Sequence, residues 1–373
     1  MAGSGSAEIS VVITLFGKTD VGLMRSSNED SFAIGDLDGD RTLDPDEAAA
    51  IEVGDRGPVL VVCDGMGGAA AGEVASGIAV EVVIAEMKQA PVAADRAVFA
   101  RHLRRAVRTA NRRVFDEGNR NWKLKGMGTT LSAAGIVGKE LIVAQVGDSR
   151  AYVLRGSTLV QVTRDQSVVS ALLHAGRITE KEAESFSQAN VILQALGVQE
   201  DVDVAISLVE LRRGDRLLMC SDGLHGSVDD DELREILTDH DEPRSAASAL
   251  IDRARDAGGP DNITAIVADY TGDGLDVPAS EDDLPKFIEF DPQEEGVRAI
   301  TTTSRVAHRL AARAGVGDDP GPRPIPATGQ HAVIGDEGPA ASALAERARI
   351  GIATWILAAV AVAAIVVLLL WRA

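Results

Sequence analysis

The chain has 373 residues, 45% of them apolar and 25% charged, with a formal charge of −20, which excludes a wholly disordered protein and allows a sizeable core. Nucleic acid and anionic membrane surfaces would be repelled by so acidic a chain, whereas cations suit it. The two cysteines, Cys63 and Cys220, each lie inside an apolar run, so a disulfide framework is excluded, a reducing compartment is favoured, and both read as small core residues.

Residues 1–10 have no basic flank and lead into a short apolar run, too short for a signal-peptide core. They predict a flexible N-terminus followed by a first strand in ISVVITLFG. RSSNED, with Glu29 and Asp30 at its end, opens a second strand, NEDSFAIG. The stretch DLDGDRTLDPDE, residues 36–47, then places acidic side chains at positions 1, 3, 5, 9 and 12: Asp36, Asp38, Asp40, Asp44 and Glu47. That spacing fits an EF-hand loop for Ca²⁺. Position 6, where the loop needs glycine for a left-handed backbone, is Arg41. The entering element is a strand, while Asp44 as cap and Pro45 at the first helical position predict a helix over DEAAAIEV. Two readings stay open, a calcium-binding insertion and a solvated acidic one.

GPVLVVCDG predicts a buried strand ending at Asp64. Helical apolar spacing follows in AGEVASGIAVEVVIAEM from Ala71 and in DRAVFARHLRRAVRTANRRVFDEG from Asp95. The second carries Arg101, Arg104, Arg105, Arg108 and Arg112 on its polar side, a solvated face or a docking surface. ELIVAQVGDSRAYVLRGSTLVQVT reads as a hairpin, DRLLMCSDG as a strand ending at Asp222, and NITAIVADY as a last strand. Runs of strands interrupted by a helix pair predict an α+β sandwich over residues 11–271.

From Gly272 to Arg349 the composition changes, with eight of the 13 prolines and an acidic first part. Residues 272–349 therefore read as a disordered, Pro-rich linker extended by self-repulsion. IGIATWILAAVAVAAIVVLLLW, residues 350–371, carries no charge and is long enough to cross a bilayer about 30 Å thick. Arg347 and Arg349 precede it and Arg372 alone follows, which places the large N-terminal part in the cytosol.

Three acidic residues stand at strand ends among small neighbours: Asp64 in CDGMGG, Asp222 in SDGL and Asp261 in GGPDN. Carboxylates converging where glycine opens the backbone build oxygen-rich sites for Mg²⁺ or Mn²⁺, although Asp-Gly is also a turn signal. With GLMRSSNEDSF, GMGTTL and VGDSRAYVLR, these segments occur in the order found in a known family. Residues 11–271 resemble the metal-dependent Ser/Thr protein phosphatases of type 2C in their bacterial form.

The resemblance implies two antiparallel sheets packed as a sandwich with helices outside each, and a two-metal centre of Mn²⁺ or Mg²⁺ at one end. It implies that Asp64 bridges both metals, that Asp222 and Asp261 complete one, and that Glu29 and the Gly65 carbonyl serve the other. Arg25 would grip the phosphate, Asp148 with Asp222 would hold a third, weaker metal, and Asp30, Thr130 and Asn262 would support the ligands. A hydroxide bridging the two cations would attack phosphoserine or phosphothreonine in line, without a phosphoenzyme. Neither cysteine is followed six residues later by arginine, so a thiolate mechanism is set aside.

Three features depart from the family pattern. Met66 stands where eukaryotic members have histidine, so water becomes the leaving-group acid unless His225 substitutes. Gly226 replaces a further acidic residue, and Phe186 and Ser187 replace a His-Pro step in the flap that follows the hairpin. The acidic loop is expected beside the catalytic cleft. The whole then reads as a single-pass bacterial membrane protein with a cytosolic phosphatase domain. Its partners would be phosphorylated proteins, substrates of a Ser/Thr kinase or the kinase itself. An inactive calcium-responsive scaffold and a hydrolase of small phosphoesters are the competing readings.

Overall fold

The computed structural model describes residues 10–67, 71–184, 191–280 and 283–292. The first nine residues, the flap positions Phe186 and Ser187, and the predicted membrane span at 350–371 lie outside them. Among the described residues no helix is long and apolar enough to cross a membrane.

Strands β1 (Val12–Asp20), β2 (Asp30–Asp36), β3 (Arg41–Thr42), β4 (Ala49–Glu52) and β5 (Pro58–Met66) come first. Helices α1 (Ala71–Gln89) and α2 (Arg96–Arg120) follow, the second capped by the Asp95 carboxylate, which accepts from Val98 N–H at 2.8 Å. Then come β6 (Gly128–Thr129), β7 (Leu131–Val137), β8 (Glu140–Val146), β9 (Arg150–Arg155) and β10 (Thr158–Gln161). The short helices α3 (Val168–His174) and α4 (Glu180–Glu184) precede β11 (Ala205–Glu210) and β12 (Arg216–Cys220). The one-turn α5 (Asp222–His225), then α6 (Asp230–Asp239), α7 (Pro243–Asp256), β13 (Ile263–Thr271) and β14 (Phe287–Glu289) complete the order.

Two antiparallel sheets result. One has six strands in the order β10-β9-β12-β13-β1-β4, and the other runs β14-β11-β8-β7-β5-β2-β3 with β6 added on β5. Ile13, Leu15, Leu60, Val62, Leu217 and Ile266 belong to the core between the sheets. A second core sits under α1 and α2 around Val61, Val83 and Leu103, and a third under α6 and α7 around Phe16, Leu233 and Leu250. Both faces of each sheet are therefore covered, which is why β5 is an unbroken apolar run over Val59–Cys63 and not an alternating one. Cys63 and Cys220 are free and buried, as their apolar settings predict.

Four expectations need correction. The segment from Glu140 to Gln161 is not one hairpin. β8 pairs with β7 and β11 in the larger sheet, whereas β9 pairs with β10 and β12 in the smaller, so the chain changes sheets at Gly147–Ser149. Gly147 has a φ of +96°, which allows the crossing.

The predicted helix after Asp44 is also absent. Ala49 and Ile51 are buried while Ala50 and Glu52 are exposed, the period of a strand, and β4 pairs with β1. Asp46 takes a φ of +66°, so no helix starts at Pro45. The acidic loop in turn lies away from the cleft: Asp36 pairs with Pro58 at one end of β5 and Asp30 with Asp64 at the other. Six strand residues separate the two ends, roughly 20 Å.

Finally, the fold does not stop at residue 271. Leu275 is buried, Lys139 Nζ reaches Asp276 Oδ2 at 2.8 Å, and β14 pairs with the edge strand β11. Asp283 meets Arg155 and Arg212, and Asp291 meets Arg104 at 2.8 Å. The acidic stretch is thus held by arginines and by a free strand edge instead of repelling itself into solvent, and part of the arginine side of α2 is covered by the chain's own continuation.

Candidate active site

The start of β2, the end of β5, the β8–β9 crossing, the end of β12 and the start of β13 all reach one end of the sandwich. The register makes this so: Asp30 is opposite Asp64, Cys220 opposite Arg150 and Ala265, and Asp20 opposite Ile263. Glu29, Asp30, Asp64, Asp148, Asp222 and Asp261, scattered over more than 230 positions of sequence, are thereby gathered.

Glycine after Asp64 and after Asp222 serves close approach. Neither Gly65 nor Gly223 has a positive φ. A Cβ on Gly65 would lie 2.2 Å from the Gly72 carbonyl oxygen and 2.5 Å from that of Glu29, and one on Gly223 would lie 2.0 Å from the Asn262 carbonyl oxygen. The missing side chains let the Glu29 strand and α1 meet β5, and let the Asp261–Asn262 segment pass against α5. The turn reading of these Asp-Gly pairs is therefore replaced by a packing one.

Polar side chains lock this end. Asp30 Oδ2 accepts from Ser221 Oγ and Thr264 Oγ1, both at 2.7 Å, joining the two sheets. Asn262 Oδ1 accepts from Glu29 N–H at 2.7 Å, and its Nδ2 donates to the carbonyls of Val21 at 2.9 Å and Ser27 at 3.0 Å, fixing the loop that bears Arg25. Thr130 Oγ1 accepts from Asp64 N–H at 3.0 Å and meets Ser149 Oγ at 2.6 Å. Arg25 Nη2 lies 2.7 Å from Asp261 Oδ2 at the half-exposed mouth.

Electrostatics set the demand of the site. Burial pushes the Asp64 carboxyl well up, and Asp30 and Asp222 push it further. Burial raises Asp30 to about 7 against the pull of Ser221 and Thr264, and raises Asp148 to about 7 with help from Asp222 and Asp165. Asp222 and Glu29 are also raised, each first by burial. Such a group must take up protons or cations.

A divalent cation pair fits these residues. Asp30 Oδ1 and Asp222 Oδ1 are buried without hydrogen-bond partners, and the donors are all hard oxygens. Among the described residues no three His, Cys, Asp or Glu side chains close into a ready cage. Asp261 is turned to Arg25 instead, its Oδ2 accepting from Arg25 Nη2 at 2.7 Å.

His225 does not offer an acid. Its Nε2 is 3.1 Å from the Asp148 carbonyl, and burial beside Arg150 lowers the ring to about 4, leaving it neutral. Met66, at the end of β5, lines a cavity of about 110 Å³ with Ile192, Gln194, Val198 and Val202. Sequence reasoning missed Ser221, Thr264 and Ser149, which are polar and buried, and Glu73, whose charge acts on Glu29 from the first turn of α1. A hydroxyl at an inward position of a buried strand was the available signal for Thr264. The candidate loop residues Asp36, Asp38, Asp40, Asp44 and Glu47 are not part of this end. Asp38 accepts from the N–H groups of Gly54, Arg56 and Gly57, and Arg41 pairs with Glu47 at 2.8 Å and with Asp36 at 3.5 Å. Arg41 lies in β3, and the left-handed residues of the stretch are Asp40 and Asp46, with φ of +48° and +66°.

Comparison with known proteins agrees with this arrangement. The sequence pattern of the protein phosphatase 2C family matches residues 41–257. The serine/threonine phosphatase stp of Listeria monocytogenes is 34% identical over 261 residues, 69% of this chain and 97% of that one. The serine/threonine protein phosphatase PstP of Mycobacterium tuberculosis is 37% identical over 263 residues, 70% of this chain and 46% of that one. Among solved structures, the catalytic domain of PstP in complex with two manganese ions superposes with a TM-score of 0.58 at 36% identity, covering 70% of this chain and 99% of that chain. The S. agalactiae serine/threonine phosphatase gives a TM-score of 0.62 at 30% identity, covering 69% and 99%.

Proposed function

This chain belongs to the protein phosphatase 2C family and is a metal-dependent serine/threonine protein phosphatase, and from that premise we propose which residues carry the reaction. Asp64 with Asp222, Asp261, Glu29 and the Gly65 carbonyl would hold two Mn²⁺ or Mg²⁺ ions, and Asp148 with Asp222 a further, weaker one. The observation that supports this is the buried, mutually repelling carboxylate set with unpartnered oxygens on Asp30 and Asp222. When bound, the cations supply a nucleophile ionised near neutral pH and positive charge against the transferring phosphoryl group.

The chain's own residues do the rest. Arg25, already placed at the mouth against Asp261, turns its planar fork to the phosphate oxygens and orients the substrate. Asp30, clamped by Ser221 and Thr264, fixes the strand end beside Asp64. Asn262 holds the Arg25 loop to Glu29, and Thr130 ties the Asp64 peptide to the β8–β9 crossing. With Met66 in place of a titratable group and His225 neutral, the leaving serine or threonine oxygen takes its proton from water.

Phosphate release from a phosphothreonine peptide tests the assignment: it should require Mn²⁺ or Mg²⁺ and stop with chelator. Arg25→Ala should raise KM more than it lowers kcat, and Asp64→Asn should remove most turnover. Wild-type turnover in Asp64→Asn would overturn the two-cation assignment.

The proposal extends to location. Residues 350–371 form an uncharged apolar run, with Arg347 and Arg349 before it, which supports a single membrane pass with the phosphatase domain in the cytosol. Its substrates would then be phosphoproteins made by a Ser/Thr kinase, or that kinase itself. Protease added outside spheroplasts should spare the domain, and digestion there would reverse the orientation.

A further inference from the structure

The crossing that carries Asp148 is pinned on both sides. Gly147 N–H donates to Gln166 Oε1 and the Gly147 carbonyl accepts from Gln166 N–H, both at 2.9 Å. Ser149 meets Thr130 through its hydroxyl at 2.6 Å, and its carbonyl accepts from Ser132 Oγ at 2.8 Å and Gln145 Nε2 at 3.0 Å. Between these anchors the Asp148 peptide is held through its carbonyl, 3.1 Å from His225 Nε2.

A carbonyl only accepts, so Nε2 carries the proton and donates. His225 is the last residue of α5, and Asp222 is the first. One helical turn thus bears Asp222 at its start and, at its end, the ring that holds Asp148. The turn is itself rigid, because Gly226 N–H donates to the Asp222 carbonyl at 2.7 Å and Val228 N–H to that of Leu224 at 3.0 Å. The ring sits beside the Arg150 guanidinium, which is fixed in turn on Asp165 at 2.7 to 3.1 Å and on Tyr152 OH at 2.9 Å.

We propose that His225 is a positioning residue for the weaker cation site, fixing the separation of Asp148 and Asp222 by latching the Asp148 carbonyl to the turn that carries Asp222. This rests on the reading that these two carboxylates hold a further cation. A ring three residues after a ligand thereby acts on metal affinity across the two sheets without touching substrate or metal.

The experiment uses the full chain in detergent, titrated with Mn²⁺ and read by the electron paramagnetic resonance of free Mn²⁺. The Mn²⁺ concentration for half-maximal hydrolysis of para-nitrophenyl phosphate and the metal-free melting temperature are followed alongside. Asp148→Asn should remove the weak class of bound Mn²⁺. His225→Leu, which keeps volume and loses the donor, should weaken that class about tenfold, the scale of one lost hydrogen bond, and raise the Mn²⁺ requirement while tight binding persists. His225→Gln, whose amide can reach the same carbonyl, should restore the affinity to within about threefold. If Asp148→Asn removes the weak class and His225→Leu leaves it unchanged, the latch is wrong. Equal losses of weak and tight binding in His225→Leu, unrescued by His225→Gln, would make the ring merely structural and also overturn it. A wild-type chain without a weak class, or one in which Asp148→Asn leaves that class intact, would sink the underlying site reading and the latch together.

Discussion

Replacing Gly223 with alanine tests whether the glycine after Asp222 is there for contact. A Cβ at this position would lie 2.0 Å from the Asn262 carbonyl oxygen, 2.9 Å from its carbon and 3.4 Å from the Asp261 Cβ. An ordinary C···O contact is about 3.3 Å, so the Asp261–Asn262 backbone and α5 must separate by about 1.3 Å. Both partners are backbone and neither is the end of a flexible side chain. The substitution pushes Asp222 away from Asp261, two carboxylates assigned to the same cation. Overpacking of this kind costs about 1–3 kcal/mol, and a misplacement of about 1 Å at a reacting centre costs on the order of 100-fold in rate. We expect Gly223→Ala to fold, to melt lower by roughly 2–4 °C per kcal/mol, and to hydrolyse para-nitrophenyl phosphate with Mn²⁺ about 100-fold more slowly. Gly77→Ala is the control: it lies in α1 with nothing within 4 Å of the added Cβ, so stability should rise by up to about 1 kcal/mol with turnover unchanged. Turnover within twofold of wild type in Gly223→Ala would refute the close-approach argument.

The carboxylates give a pH prediction. Asp30 and Asp148, both raised to about 7, bind more protons folded than unfolded, so with chelator present their contribution to stability is complete below about pH 4 and is lost as pH rises to about 7. Melting temperatures in chelator that climb over this range would contradict the repulsion argument, as would a metal-free Asp64→Asn domain less stable than wild type at pH 7.5. Truncation after residue 271 removes β14 and the buried Leu275; that fragment should melt below the 1–292 fragment and self-associate through the bared β11 edge, visible by light scattering. Asp38→Ala frees the N–H groups of Gly54, Arg56 and Gly57 and should cost about 1–2 kcal/mol in a urea melt. Its turnover should stay at wild type, since the loop is at the far end of β5; a tenfold change would mean that the two ends communicate.

The chemistry was legible in the chain because it depends on residue type at strand ends. Asp64, Asp222 and Asp261, each beside glycine or another small residue, stand out whatever the fold around them, and Arg25 and Glu29 share one short segment. Local period also marked β5 and α2, since a strand buried on both faces and a helix with one apolar side leave distinct patterns. Pairing partners were not legible. Nothing local tells that β8 and β9, three residues apart, join different sheets, because that is decided by which edges β7, β11 and β12 leave open. Alanines and a proline after Asp44 favour a helix locally, and the free edge of β1 overrides them by taking Ala49–Glu52 as a strand. An acidic, proline-bearing stretch repels itself when alone; Arg155, Arg212 and Arg104, brought together by the fold, hold Asp283 and Asp291 and let β14 close the sheet. Sequence records the preference of each segment for itself, whereas the neighbours that outbid it are distant along the chain and meet it only once the sandwich has formed.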